Sequence, residues 1–319
     1  MNEFELIKNY FQKLSKKSQS SLNLNDDVFF DKKNRLVVSV DTYIEGKHFI
    51  DFKNPQLAIK KIIRSSISDL ICKGVKPKYY FISGSGNKKS FSKTNLLKIK
   101  KSLNEEQNKY EISLGGGDTV FSNKLSFTIT SIGFANDIVY RNNAKINDDI
   151  YVTGNIGDSY LGLLLLKKKI KLNNKLNKYF INQYFLPNIK FKLVNEIKNF
   201  ANTSIDISDG LLADLDKMLN LQKLSYQLSL DDIPISKNLF HVLENKKLLK
   251  KNLISNGDDY EILFTALKAK RGIIKKISNR FNLRISKIGK IVKNNIKSSI
   301  VDDNNTPIKV KNKGYFHKF

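Results

Sequence analysis

Apolar residues recur along the start of the chain with two different periods, which predict a helix followed by a strand. Phe4, Ile7 and Phe11 are spaced at about 3.6 residues, so they predict an amphipathic helix over 4–14. The run Leu36-Val37-Val38-Ser39-Val40 predicts a short strand that leads directly into Asp41.

Helix boundary signals are clearest in the next segment. Asn54 is suited to the N-cap, Pro55 to the first turn and Gly74 to the position after the last turn, so a helix is predicted between them. Asp69 falls in its last turns, where an acid opposes the helix dipole, and this local inconsistency points to function. Further predicted elements are strands at 79–83, 111–114 and 125–135 and a helix over 92–109.

The pattern breaks into polar residues over 141–149, and a new strand is predicted at 150–154. We therefore expect two domains, residues 1–140 and residues 141–319. Asp214 and Asp216 are expected on the solvated face of a helix that follows Asp209. Because helices alternate with strands throughout, both domains are expected to be α/β or α+β. The other elements predicted here are helices over 157–166 and 188–200 and strands at 226–230, 261–265 and 285–291.

The composition is that of an ordinary globular protein with room for a large core. The chain has 319 residues, of which 40% are hydrophobic and 27% charged. Its longest apolar stretch, 160–166, is far shorter than the roughly 20 residues that a membrane span needs. Glu3 and Glu5 argue against a signal peptide, and the single cysteine, Cys72, excludes an internal disulfide. We expect a cytoplasmic protein with no membrane partner.

The formal net charge of +26 suggests a nucleic-acid partner, but the distribution of charge argues against one. Lysines are spread along the whole chain, and the densest run, Lys167-Lys168-Lys169, is typical of a solvated helix end. A nucleic-acid footprint needs clustered cations rather than a high total. We expect no specific nucleic-acid binding, although a positive surface would attract anionic substrates.

Six aspartates in five short motifs carry the candidate chemistry. Most stand beside glycine, serine or threonine or at the end of an apolar run, where a strand can deliver a carboxylate into a cleft. Six like charges in one place would repel strongly unless cations neutralise them, and Mg²⁺ takes hard oxygen ligands shared with substrate phosphates. The pattern favours a polyphosphate site, while any single aspartate is equally typical of a loop or helix cap. The six are Asp27, Asp41, Asp69, Asp118, Asp206 and Asp209.

Seven motifs in order resemble those of the thiamine-monophosphate kinases. The resemblance spans nearly the full length, up to Lys313-Gly314-Tyr315, and the chain has no Walker-type phosphate loop. The wider superfamily resembled includes aminoimidazole ribonucleotide synthetase, selenophosphate synthetase and a hydrogenase-maturation protein. The motifs are Asn25-Asp26-Asp27, Asp41 to Phe49 (Asp-Thr-Tyr-Ile-Glu-Gly-Lys-His-Phe), Ile67-Ser68-Asp69-Leu70, Gly116-Gly117-Asp118-Thr119, Tyr151-Val152-Thr153-Gly154, Asp206-Ile207-Ser208-Asp209-Gly210-Leu211 and Gly257-Asp258-Asp259-Tyr260-Glu261.

The resemblance implies ATP-dependent, Mg²⁺-dependent phosphorylation of thiamine monophosphate to thiamine diphosphate. It implies a two-domain architecture in which the N-terminal domain, 1–140, binds metal and nucleotide and pairs its sheet with a second subunit's, closing a barrel across a homodimer. The C-terminal domain, 141–319, would close over nucleotide and substrate. A phosphate monoester acceptor is largely ionised at neutral pH, because its second pKa is about 6, so no catalytic general base is expected.

Site residues are carried over from the same resemblance. The six aspartates, with the Ser39 hydroxyl, resemble ligands of several Mg²⁺ ions. Gly117, beside Gly116, resembles a close approach to ATP phosphates, and Arg141 and Ser208 resemble further nucleotide contacts. The residues that resemble substrate contacts are His48, Asp258 and Asn312.

Three departures from the family pattern concern the turn before the metal site and the substrate pocket. Asn23-Leu24-Asn25-Asp26-Asp27 stands where the family has Gly-Ile-Gly-Asp-Asp, and asparagine tolerates the left-handed backbone that such a turn needs. Asp258 replaces a glutamate. Asn312 stands about where the family stacks a tryptophan on the substrate, so Tyr315 or Phe316 is expected to stack instead.

Two alternatives remain open from the sequence. One is another ATP-using enzyme of the superfamily, such as an aminoimidazole ribonucleotide synthetase-like protein that activates an amide. The motifs around Asp206 and Asp258 and the spacing from Asp41 to His48 favour the thiamine branch. The other is a non-catalytic nucleotide sensor or nucleic-acid binder, which the presence of all six aspartates disfavours.

Overall fold

The computed structural model describes residues 1, 3–245, 248–310 and 312–315 and shows a mixed α/β protein with two sheets. The first sheet has the strand order β1-β2-β5-β3-β4. Its strands are β1 (Phe29–Asp31), β2 (Leu36–Ile44), β3 (Pro77–Gly86), β4 (Ser113–Phe121) and β5 (Ser126–Phe134). The helices of this half are α1 (Glu3–Leu6), α2 (Gln12–Ser15), α3 (Pro55–Cys72) and α4 (Lys93–Tyr110).

The second sheet has the order β11-β8-β10-β6-β9-β7. Its strands are β6 (Asp149–Thr153), β7 (Thr203–Asp206), β8 (Leu224–Ser229), β9 (Ile262–Ala266), β10 (Ile285–Lys293) and β11 (Ser299–Val301). The helices of this half are α5 (Asp158–Leu166), α6 (Asn174–Phe185), α7 (Leu211–Met218), α8 (Lys237–Asn245), α9 (Lys250–Leu253) and α10 (Arg271–Phe281).

Helix α3 joins the two halves. The Asn54 side chain accepts a hydrogen bond from the Leu57 amide at 3.3 Å, and Gly74 leaves the helix with a φ of +74°, as the boundary signals predicted. The helix packs on β2 and β5 of the first sheet and on β7 of the second. Most of its residues are therefore buried, and one hydrophobic cluster extends from Ile62 through to Phe264 of the second sheet.

The helix predicted over 188–200 is wrong. This segment forms two short 3₁₀ turns, Phe191–Leu193 and Ile197–Asn199, and neither turn has a side-chain N-cap. The nearby helix is instead α6, where the Asn173 side chain accepts from the Leu176 amide at 2.9 Å. The apolar spacing over 188–200 arises because both turns place apolar side chains such as Leu193 and Ile197 in the core.

The single helix predicted over 4–14 is interrupted. A π-helical stretch, Ile7–Phe11, separates α1 from α2, and Tyr10, Phe11 and Leu14 are largely exposed. No helix among the described residues is long and apolar enough to cross a membrane.

Candidate active site

A cavity of about 1090 Å³ is lined by both halves of the chain. The end of β2, the last turns of α3 and the segments that follow β7 and precede β9 form its walls, and the N-terminal segment from Glu3 to Gln12 borders it. The predicted site residues that line it are Asp27, Asp41, His48, Asp69, Arg141, Asp206, Ser208, Asp209 and Asp258.

Three carboxylates from three different elements meet in this cavity. Asp41 comes from β2, Asp69 from α3 and Asp206 from the last position of β7. Burial, with the neighbouring carboxylates, raises the pKa of Asp69 well above its usual range. Burial likewise raises the pKa of Asp41 to about 6 and that of Asp206 to about 7, against hydrogen bonds from Tyr43 and Ser68.

These three carboxylates form the carboxylate cluster of the site, and within the described residues none of them has a lysine or arginine as an ion-pair partner. Mutual repulsion in a buried place favours any cation that can neutralise it. No three His, Cys, Asp or Glu side chains of the described chain close a metal shell by themselves. The cluster therefore fits hard cations that draw their remaining ligands from phosphate oxygens and water.

Asp27 differs from the cluster because two protein cations already neutralise it. The Arg141 guanidinium donates from Nε to Asp27 Oδ2 at 2.9 Å. The fully buried Lys73 lies 3.0 Å from the same oxygen and 2.8 Å from Oδ1 of Asp26. Burial lowers the Lys73 pKa, but Asp26, Cys72 and Asp69 together raise it by more, so the net pKa is raised. Arg141 is predicted to contact the nucleotide, and in the structure it forms an ion pair with Asp27, which is predicted to bind metal.

Asp209 is also paired with a protein cation, and its neighbourhood corrects one expectation. Lys217 forms ion pairs with Asp209 and, at 3.1 Å, with Asp214. Asp214 is fully buried rather than solvated, because its carboxylate accepts hydrogen bonds from the amides of Asp209 and Gly210 at 2.9 and 3.0 Å. Asp216 is only half-exposed, and its carboxylate accepts a hydrogen bond from the Tyr226 hydroxyl at 2.9 Å and pairs with Lys313 at 2.6 Å.

Asp118 does not join the cluster within the chain. It lies on β4, whose nine residues are all exposed, and it pairs in register with Ser83 of β3, which pairs with Thr128 of β5 and so with Thr42 of β2. Three strand spacings of about 4.8 Å place β4 roughly 14 Å from β2. The sequence motif gives no sign of this separation.

Gly117 has a local reason to be glycine. A Cβ at this position would overlap the carbonyl oxygen of Ile82 on the neighbouring strand. The close approach that the structure shows is therefore between two strands of one chain.

Two of the remaining predicted residues lie near the cluster. Ser39 is buried on β2, and its hydroxyl donates to the Ser66 carbonyl at 3.4 Å. His48 is half-buried, its Nδ1 accepts from the Ile44 amide at 3.0 Å, and its ring meets that of Tyr43 edge-on.

The predicted substrate residues divide into two groups. Asp258 lines the cavity and forms an ion pair with Lys61. Asn312 is exposed, does not line the cavity, and accepts a hydrogen bond from the Gly314 amide at 3.3 Å. Tyr315 does line the cavity, and its amide donates to the Asp209 carbonyl at 2.9 Å. Phe316 lies outside the described residues.

Three lysines of the site were missed by the sequence analysis: Lys61, Lys73 and Lys217. For Lys61 a signal existed, because Lys61, Ser65 and Asp69 follow at intervals of four residues and so lie on one face of α3. Two residues of this polar row, Ser65 and Asp69, line the cavity.

The chain is similar to proteins of known family and known structure. A family model described as "AIR synthase related protein, N-terminal domain" matches residues 25–135. A thiamine-monophosphate kinase of Buchnera aphidicola subsp. Schizaphis graminum is 37% identical over 305 residues, which cover 92% of this chain and 88% of that protein. A second, from Buchnera aphidicola subsp. Acyrthosiphon pisum, is 34% identical over 325 residues, which cover 99% and 98%.

A solved structure described as "AaThiL complexed with AMPPCP and TMP" superposes with a TM-score of 0.84. The two sequences are 25% identical, and the superposition covers 99% of this chain and 97% of the other chain.

Proposed function

The chain belongs to the thiamine-monophosphate kinase family, and from this premise we propose that it transfers the γ-phosphoryl group of ATP to the phosphate of thiamine monophosphate. The observation that carries the proposal is the carboxylate cluster of Asp41, Asp69 and Asp206 in a cavity large enough for two phosphorylated ligands. A related structure that holds an ATP analogue and TMP supports both substrates.

Magnesium ions are the cations we propose for the cluster. Asp41, Asp69 and Asp206 would hold them, with Asp27, Ser39 and Asp209 as further ligands. When bound, the ions supply neutralisation of the charge that accumulates between two phosphates. Asp27 and Asp209 are ion-paired with Lys73, Arg141 and Lys217, so a metal ion would share these carboxylates with protein cations.

The chain itself contributes binding and orientation rather than proton transfer. The acceptor phosphate is already ionised near neutral pH, since its second pKa is about 6. Arg141 is placed to donate charge-assisted hydrogen bonds to the nucleotide, and Ser208 also lines the cavity. His48 and Asp258, which line the same cavity, are assigned to the substrate.

We assign the chain to a homodimer whose partner completes the site. Two strand edges have no partner strand within the described chain. One is the outer edge of β4, and the other is the part of β2 that follows Val38, where its pairing with β1 ends. Apolar side chains are exposed on the same sheet, among them Val40, Val120 and Phe121. Joining β4 of each subunit to β2 of the other would cover these residues, close a barrel and bring the partner subunit's Asp118 beside Asp41.

The same arrangement supports the domain assignment. Residues 1–140 contain the first sheet and its open edges, and residues 141–319 contain the second sheet with the walls around Asp206 and Asp258. Use of ATP and a single buried cysteine support the cytoplasm as the location.

Product analysis tests the reaction. Wild-type protein with thiamine monophosphate, ATP and Mg²⁺ should form thiamine diphosphate, and Asp41→Asn should reduce the rate by a factor on the order of a hundred or more. The exposed Asp232→Asn, a matched loss of one carboxylate, should leave the rate unchanged. ATP turnover with no diphosphate product would reassign the chain to a sibling enzyme with another acceptor.

A further inference from the structure

Lys61 is a buried lysine to which the proposed reaction assigns no role. Its side chain is 1% exposed, and Nζ lies 2.6 Å from Oδ1 of Asp258 and 3.1 Å from the Tyr184 carbonyl. The ammonium also stands 4.0 Å from the centre of the Tyr184 ring and 5.5 Å from that of Tyr260. The lysine is thus enclosed by protein, while Asp258 reaches the cavity with a quarter of its side chain exposed.

The two oxygens of the Asp258 carboxylate have different surroundings. Both hydrogen bonds that this carboxylate accepts from described residues end on Oδ1, one from Lys61 and a longer one, 3.4 Å, from the Tyr260 hydroxyl. Oδ2 is therefore the oxygen left for a ligand. Because Oδ1 already accepts hydrogen bonds from the protein, the carboxylate can accept a hydrogen bond from a ligand mainly through Oδ2.

The backbone fixes this direction as well. Asp258 and Tyr260 both have left-handed φ values, +73° and +50°, and their amides donate to the Ser208 and Ile207 carbonyls at 2.9 and 2.8 Å. A Cβ at Gly257 would overlap the Ser208 carbonyl oxygen. Such strained residues persist where their surroundings over-determine them, and they are concentrated at ligand sites.

We propose that Lys61 is a positioning residue that holds Asp258 so that Oδ2 accepts a hydrogen bond from the ring amino group of the substrate. The proposal rests on the proposed function. Because Lys61 compensates the formal charge of Asp258, the pair offers a directed acceptor rather than a free negative charge, and it selects an amino group over the cationic ring of the same substrate.

The experiment compares two substrates, thiamine monophosphate and its analogue with a ring carbonyl oxygen in place of the amino group. Wild type should prefer the amino substrate, since the carbonyl oxygen would face Oδ2 without a proton between them. Lys61→Met should raise the KM for thiamine monophosphate roughly tenfold or more and reduce the preference, while the KM for ATP stays within about twofold. Lys61→Arg, which keeps the charge, should restore part of the preference.

Asp258→Asn gives a test that does not disturb the buried lysine. The amide oxygen can still accept from Lys61, and the amide N–H₂ then takes the place of Oδ2. A donor now faces the substrate, so the preference should move toward the carbonyl analogue.

Three results would overturn the proposal. A lower KM for thiamine monophosphate in Lys61→Met would mean that Asp258 attracts the cationic ring. Parallel losses for both substrates and for ATP would indicate only a structural role, as would an unchanged preference in Asp258→Asn. Failure of the proposed function itself is distinguishable, because wild type would then form no diphosphate from either acceptor.

Discussion

Arg141 and Asp27 lie 114 positions apart in the chain, yet the Arg141 guanidinium contacts both carboxylate oxygens of Asp27, with Nε 2.9 Å from Oδ2. One residue is predicted to bind ATP and the other a metal ion. The pair therefore links the proposed nucleotide site to the proposed metal site.

Arg141→Met should weaken ATP far more than thiamine monophosphate. The variant loses charge-assisted hydrogen bonds to the nucleotide, so the KM for ATP should rise by about tenfold or more. Asp27 keeps Lys73 as a counter-charge, so the protein should still fold. Steady-state kinetics with each substrate varied in turn measures both constants, and an equal rise in the two KM values would count against a nucleotide contact.

Asp69→Asn should stabilise the metal-free protein and remove its response to metal. Burial and the neighbouring Asp41 and Asp206 disfavour the charge of Asp69, so a neutral side chain relieves repulsion. Thermal unfolding at pH 8 should show a higher Tm than wild type without Mg²⁺. With Mg²⁺ and an ATP analogue, wild type should gain stability and the variant much less. A variant that is less stable without metal would contradict the electrostatic description of the cluster.

Asp118 should act in the partner's site, which subunit mixing can detect. Asp118→Asn and Asp41→Asn homodimers are each expected to be inactive, but a mixed dimer has one intact site. Random exchange of subunits should therefore recover about a quarter of wild-type activity. The matched control mixes Asp41→Asn with Asp69→Asn, which share a site and should recover none. No recovery in the first mixture would place Asp118 outside the site or in its own subunit's site.

The positions that the sequence predicted well are those fixed by local chemistry. Helix α3 begins and ends as expected because Asn54, Pro55 and Gly74 act within one turn of its ends. Asp206 reaches the cavity as the last residue of an apolar strand, as predicted, whereas Asp41 lies inside β2, which continues to Ile44.

Other features depend on contacts between distant segments, and spacing along the chain does not encode them. Asp214 is buried because the turn at Asp209 offers it two amides, whereas helix periodicity alone places it outside. The separation of Asp118 follows from a strand order that brings β5 and β3 between β2 and β4. Lys73 is found beside Asp27 only when the helix end and the N-terminal turn are packed together.

Asp158, at the start of α5, should make the stability of the protein depend on pH. Burial raises the pKa of this carboxyl to about 6, against hydrogen bonds from Ser236 and Tyr179. The folded state therefore holds a proton that the unfolded state, with an ordinary pKa of 3.8, has already released. This group's contribution is most favourable below the unfolded pKa, falls as the pH rises toward the folded pKa, and levels off above it.

Asp158→Asn should remove that dependence, because the amide oxygen still accepts from Ser236 while no charge is buried. Above the folded pKa the variant should be more stable than wild type by up to about 3 kcal/mol, and the difference should vanish near pH 4. Urea unfolding of both proteins across this range measures the difference directly, with the exposed Glu244→Gln as a carboxylate control. A constant difference at every pH would show that Asp158 titrates alike in the folded and unfolded chains, and burial would then not be what sets its pKa.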